Sequence, residues 1–341
     1  MEFGEEGVAP IVHWPAIPPW ILPVPEIDLS VLAYERTATF GDIVRERLNN
    51  TWGQYIQIYT DGAQDPRTGK SGFAFCIPDL DVSRYKRLSE GVSVYTTELL
   101  AIIWAMQWVE EVRPGPVVIC SDSASVLMTL KEGGLGARSD LVVELLTLMH
   151  RIEQAGELVG FLWVPAHVGI EGNELADGAA KRALRREKVD VKVRLGLTEC
   201  RSIIKRNIMA VWQEEWDREK KGRHYYSLQK SVTRSQCFLG KERRHTGMMT
   251  RLRLGHCGLA WDLHKIGKHE DGLCGECGKN QTVEHVLMEC AGLALERERL
   301  YAAVGTTPVT LRSLLGPIED QRGIVKAVLE FMAATRQIKM D

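Results

Sequence analysis

Short runs rich in β-branched and aromatic residues alternate, along the first half of the chain, with longer stretches whose apolar residues recur every three or four positions. The first pattern is that of strands; the second is that of helices with a buried face. Residues 55–60 (YIQIYT), 71–77 (SGFAFCI), 117–120 (VVIC) and 159–164 (VGFLWV) fit strands, and 91–94 fit a further short one. Residues 96–112, about 124–131, 139–155 and 173–186 fit helices. Pro114-Gly115-Pro116 ends the first helix, and Gly133, Gly134 and Gly136 separate the next two. The order β-β-β-α-β-α-α-β-α predicts an antiparallel meander continued by parallel units. The fold class expected is α/β, a mixed five-stranded sheet flanked by helices.

The two ends differ from this pattern. Pro10, Pro15, Pro18, Pro19, Pro23 and Pro25 make residues 1–30 a linker of extended chain, and 31–50 has room for a short helix. Residues 199–221 predict a helix whose Ile203, Ile204, Ile208, Val211, Trp212 and Trp216 face a core. Residues 296–341 predict two helices broken around Gly316-Pro317. The domains expected are a proline-rich extension over 1–53, an α/β domain over 54–187, a basic helical region over 188–295 and C-terminal helices over 296–341.

Charge sharpens this division. The formal net charge is −2, but 3 Lys/Arg face 8 Asp/Glu in residues 1–53, 13 face 17 in 54–186, and 27 face 20 in 187–341. A basic final third beside an acidic middle points to a polyanion partner for the one and cation ligands in the other. No apolar run approaches the ~20 residues of a membrane helix, and the acidic N-terminus lacks the basic start of a secretory signal. The eight cysteines are scattered, apart from Cys274-Gly-Glu-Cys277 and Cys290, and form no disulfide framework. An intracellular protein is expected, nuclear or cytoplasmic, not secreted and without a membrane partner.

Four acids stand at suggestive places. Asp61 ends the first strand, where Gly62 lets the chain turn; Glu98 lies in the first turn of helix 96–112; Asp122 ends the fourth strand; Asp177 lies early in the last helix. Singly, each has a bland explanation: a turn residue, helix-dipole acids, a helix cap. Jointly, if the first and fourth strands are parallel neighbours, the acids gather at one sheet edge. Such a cluster calls for hard cations with oxygen ligands, as in two-metal phosphoryl transfer with ions ~3.5–4 Å apart. His167 lies in the loop 165–172, which Gly169 and Gly172 loosen, and suits proton transfer or product release. Further on, Cys274, Cys277, His285 and Cys290 have the residue types and spacing of a closed tetrahedral zinc site, structural rather than catalytic. His256, Cys257, His264 and His269 are near enough in sequence to replace a ligand. Arg201, Lys205, Arg206 and Arg218, then Arg243, Arg244, Arg251 and Arg253, offer phosphate contacts.

TDGA at 60–63, TELLAI at 97–102, CSDSASVL at 120–127 and WVPAHVGIEGNELADGAAK at 163–181 resemble type 1 ribonuclease H, and more narrowly the ribonuclease H domain of non-LTR retrotransposon polyproteins. The resemblance covers about residues 54–186. It implies that Asp61, Glu98, Asp122 and Asp177 hold two Mg²⁺ ions (Mn²⁺ as an alternative), with Asp61 and Asp122 shared between them. It implies that His167 is the loop histidine and that Asn173, read as the N-cap of the last helix, lies near the substrate. The implied activity is hydrolysis of the RNA strand of an RNA–DNA hybrid, read through the 2′-hydroxyl. Some members carry a basic protrusion between the middle helices; here residues 131–140 contain only Lys131 and Arg138 as cations. RLRLGHCGLAWDLHKIG at 251–267 and VEHVLMEC at 283–290 resemble the zinc-binding tail of the same polyproteins. A reverse transcriptase on another or a longer chain is the implied partner, and the basic C-terminal region would take other nucleic acid. The rival reading is a nucleic-acid-binding module in which the zinc-binding tail dominates and the nuclease fold only docks.

Overall fold

Strands form where the longer apolar runs lie, and two more form where no such run exists. The computed structural model describes residues 18, 21–34, 40–134, 136–233, 242–305, 307–317 and 321–337; most of the proline-rich stretch lies outside them. β1 (Glu26–Asp28), β2 (Ile56–Gln64), β3 (Ser71–Ile77), β4 (Val82–Leu88), β5 (Val117–Ser121) and β6 (Val159–Trp163) form a single sheet in the order β1-β6-β5-β2-β3-β4. β2, β3 and β4 are the expected antiparallel meander. β5, β6 and β1 add in parallel on the other side.

Three strand expectations need correction. The sheet has six strands, because residues 26–28, read as part of a linker, pair with β6. The Asp28 carboxylate anchors this edge by accepting from Ser30 N, Arg47 Nε and Trp52 Nε1 at 3.0, 2.7 and 3.4 Å. The third strand of the meander is Val82–Leu88, not 91–94. As an edge strand it keeps Arg84 exposed and lays the Lys86 ammonium over the Trp104 ring, so it carries no apolar run to announce it. β2 runs on through Asp61 and Gly62 to Gln64 rather than ending at residue 60.

Helices cover both faces. α1 (Phe40–Trp52), α2 (Val94–Val112), α3 (Ala124–Lys131), α4 (Ser139–Gln154) and α5 (Glu171–Leu184) complete the layers. α2 is apolar nearly all round and buries Leu99, Ile102 and Met106 completely. The core joins these to Ile58, Phe75, Ile119 and Phe161 from the sheet.

The described residues fall into two compact units divided between Ile204 and Lys205. That boundary lies inside α6 (Leu197–Arg218), seventeen residues past the expected edge at 187/188. The stripe expected to face a core along α6 does not do so throughout: Ile208, Val211 and Trp212 are more than half exposed. Trp216 packs instead on Tyr225 and Tyr226. The second unit contains α7 (Arg223–Leu228), α8 (Arg243–Leu254), α9 (Ala260–Lys265), α10 (Ala294–Val304), α11 (Leu311–Leu315) and α12 (Arg322–Ala334). Its own core joins Met249, Leu252, Leu287, Leu315, Val328 and Met332. No described helix is long and apolar enough to cross a membrane.

Candidate active site

The site begins with the register of two strands. β2 and β5 are parallel neighbours whose last paired residues are Thr60 and Ser121. Asp61 and Asp122 each follow by one residue, so the sheet itself brings them side by side. Glu98 arrives from α2. Gly62 makes this possible: a Cβ there would stand 2.4 Å from Thr97 Oγ1 and 2.6 Å from Glu98 N. The glycine is needed for close approach of the helix, not for a turn.

The Asp61, Glu98 and Asp122 carboxylates each offer an oxygen within 4.8 Å of the others. Asp61 and Glu98 are buried at 6% and 5% exposure. Burial, and then the neighbouring acids, push all three carboxyls up. Asp61 rises to about 7 through desolvation and the charges of Asp122 and Asp177. Glu98 lies well above its ordinary value through desolvation and then Asp61 and Asp122. Asp122 is raised by desolvation, opposed by the Asn173 side chain. The Gly62 N–H gives the largest relief to both Asp61 and Glu98. Glu98 Oε2 is buried without a hydrogen-bond partner. Such a set is expensive unless a cation occupies it.

The local explanations for these acids fail one by one. Asp61 is inside β2, not in a turn. Glu98 lies beyond the first turn of α2, which contains no acid and is capped by Ser93. The N-cap of α3 is Ser123, and no side chain caps that helix.

Asp177 stands apart from this triad. It is half-buried on α5, close enough to raise its neighbours, and its Oδ2 accepts from Lys181 Nζ at 2.7 Å. His167 is exposed in the loop before α5, with a left-handed backbone (φ 58°), and eases the ionisation of Asp122. Asn173 is not the N-cap expected. α5 starts two residues earlier, after Ile170, and no side chain caps it. Asn173 is buried, with its amide on Asp122 and its Oδ1 without a partner.

A second cluster forms in the second unit. Cys274, Cys277, His285 and Cys290 offer ligand atoms that all lie within 4.8 Å of one another. Cys274 Sγ and Cys290 Sγ are 3.8 Å apart, Cys277 Sγ and Cys290 Sγ 3.9 Å, and Cys277 Sγ and His285 Nε2 3.2 Å. Ligands ~2.3 Å from one ion at tetrahedral angles are about 3.8 Å apart, whereas a disulfide needs about 2.05 Å. The first two ligands sit on a tight turn closed by Gly278 N donating to Cys274 O at 2.8 Å. The other two frame the wide helical turn His285–Glu289. His256, Cys257, His264 and His269 are not in the cluster. The Cys257 thiol lies on Asp262, and the His264 ring on His269 O.

The family model that matches is RNase H, over residues 53–185. The Ribonuclease H of Jannaschia sp. (strain CCS1) is 30% identical over 144 residues, covering 90% of that protein and 38% of this chain. The chain belongs to the ribonuclease H family. The Ribonuclease H of Dichelobacter nodosus (strain VCS1703A) is 27% identical over 142 residues, 91% of its length. The Pol polyprotein of Equine infectious anemia virus (strain Wyoming) is 35% identical over 127 residues, 37% of this chain and 10% of the polyprotein. The chain thus spans about a tenth of the length of the Pol polyproteins it matches.

Two residues beside the acid cluster escape the motif reading. Lys181, four positions after Asp177, holds that carboxylate; a Lys at i+4 from an Asp on a helix is its sequence signal. Gly62 reads as a turn residue because only the packed helix reveals its neighbour. The zinc-type cluster and the helices around it lie beyond residue 185, outside the ribonuclease H match.

Proposed function

We propose that the chain is a metal-dependent endoribonuclease that hydrolyses the RNA strand of RNA–DNA hybrids. The observation that carries this reading is the triad of buried Asp61 and Glu98 with half-buried Asp122, gathered where α2 meets the point at which parallel β2 and β5 stop pairing. An all-oxygen donor set with an orphaned carboxylate oxygen fits Mg²⁺ or Mn²⁺. Asp61, Glu98 and Asp122 would hold the ions, with Asp177 as the outer ligand once it leaves Lys181. When bound, two such ions supply an activated water and charge stabilisation at the phosphate. Within this reading the chain's own residues orient and move protons. Asn173 fixes the Asp122 carboxylate. His167, exposed and beside Asp122, carries a proton to the leaving oxygen or helps product depart. Cys274, Cys277, His285 and Cys290 would hold a structural Zn²⁺.

Similarity to Pol polyproteins supports a retroelement origin, with a non-LTR retrotransposon as the narrower reading and a reverse transcriptase as partner. The exposed Arg243, Arg244 and Arg251 on α8 suit backbone contacts to other nucleic acid. Arg253 does not: it is buried and donates to Leu315 O and Gln321 Oε1. The unpaired cysteines among the described residues suit a reducing compartment, cytoplasm or nucleus.

The deciding experiment incubates the purified chain with Mg²⁺ and a labelled RNA–DNA hybrid, duplex RNA or duplex DNA. Cleavage of the hybrid alone is expected, reduced at least about a hundredfold in Asp122→Asn. An intact hybrid, or undiminished cleavage by Asp122→Asn, contradicts the proposal. Binding of hybrid without cleavage, lost only on zinc chelation, would instead indicate a binding module.

A further inference from the structure

The residues just past the ribonuclease H match are folded into the domain they follow. Asp190 N donates to Arg87 O at 2.9 Å and Ser89 N to Val191 O at 3.1 Å, so the chain runs along the end of β4. Val193 then joins a small apolar cluster with Phe73, Leu88, Val92 and Ala101. Finally α6 delivers a carboxylate, Glu199, that is only 4% exposed. Its Oε1 accepts from Ser93 N at 2.7 Å and its Oε2 from Gly196 N at 2.6 Å. Ser93 is the N-cap of α2, and Glu98 is five residues further along.

The counter-charge comes from a residue with a different expected task. Arg138 is one of two cations in the segment where some family members carry a basic protrusion, and it is 3% exposed. Its Nη1 reaches Glu199 Oε2 at 3.3 Å and Thr96 Oγ1 at 3.4 Å, while Nε and Nη2 grip Asp140 at 2.9 and 2.7 Å. Gly196 leaves room for this pair, since a Cβ there would be 2.5 Å from Arg138 Cδ and 3.4 Å from Glu199 Oε2. Arg138 is therefore withdrawn from any substrate surface.

We propose that residues 187–204 are a strap completing the nuclease domain, and that Glu199 is a positioning residue for the metal-binding carboxylate Glu98. It acts by fixing the start of α2, with Arg138 as its counter-ion. This rests on reading the acid triad as a divalent-ion site. A carboxylate near a helix N-terminus is favoured by the exposed N–H groups, and neutralising Glu199 removes one of the two carboxylates that compensate the buried Arg138, leaving Asp140 alone. Residues that orient metal ligands from behind commonly change metal affinity about 10- to 100-fold when altered.

The test measures Mn²⁺ binding by calorimetry on the full chain, at a temperature where circular dichroism shows each variant folded. Glu199→Gln should weaken Mn²⁺ binding about tenfold, with Glu199→Asp recovering part of the loss. Val44→Ala, a core change on α1 behind the other face, should lower Tm but bind Mn²⁺ as the parent does. Should Glu199→Gln fail to fold, Gly196→Ala carries the same expectation by pushing the ion pair apart. Parent-like Mn²⁺ binding by the folded Glu199→Gln or Gly196→Ala chain overturns the positioning role alone. Absence of Mn²⁺ binding by the parent overturns the ion site itself and this role with it.

Discussion

The chemistry of the site is concentrated in a few carboxyls that ionise reluctantly. Asp61 in the folded, metal-free chain keeps its proton up to about pH 7, whereas an unfolded Asp loses it near 3.9. The folded state therefore favours the neutral form. Its stabilising contribution is complete below about pH 4 and is lost as pH rises through about 7. Glu98 and Asp122 shift in the same direction. A divalent ion bound there would replace those protons, so it would bind better as they leave. The rise in Tm caused by Mg²⁺ should thus grow between about pH 5.5 and about pH 8, while the chain in chelator loses stability over the same range. Thermal scans with and without Mg²⁺ check this; a Mg²⁺ effect independent of pH would contradict it. Gly62 gives a second expectation. Its added methyl would meet Thr97 and the Glu98 backbone within 3 Å, so Gly62→Ala must push α2 away from β2. A cost of about 1–3 kcal/mol in urea unfolding is expected, together with weakened Mg²⁺ binding.

At the scale of elements, the site depends on which strands are neighbours. Asp61 and Asp122 are 61 positions apart in the sequence, yet become adjacent because β2 and β5 pair in parallel. The connection is right for this: β3, β4 and α2 intervene, and α2 lays its apolar surface over β2, β3 and β5. The small second cluster follows the opposite rule. Its Cys and His side chains are close in sequence and are brought together by a tight turn and one wide helical turn. Zinc chelation should therefore melt the second unit, whose core includes Cys274 and Cys290, and leave the sheet of the first unit folded. Calorimetry should show one transition falling on chelation and the other unmoved. Two unmoved transitions would argue against a structural ion.

For the whole molecule, the sequence was legible wherever a residue's role depended on its near neighbours in the chain. The apolar runs at 71–77 and 117–120, the helical periodicity of α2 and the spacing of the Cys and His ligands follow from local chemistry. So the mixed sheet, its flanking helices and the ribonuclease H motifs could be read directly. The rest depended on partners far along the chain. β4 has too few buried positions to register as a strand, and β1 is three residues held by Asp28 contacts from α1. Asn173 reads as a cap until Ile170 is seen to start the helix. Arg138 and Glu199 look like surface charges until they meet 61 residues apart in the interior. The identity of each acid was fixed by the sequence alone. Their convergence, and the raised pKa of Asp61 that follows from it, came from tertiary packing, because desolvation and charge repulsion act through space rather than along the chain.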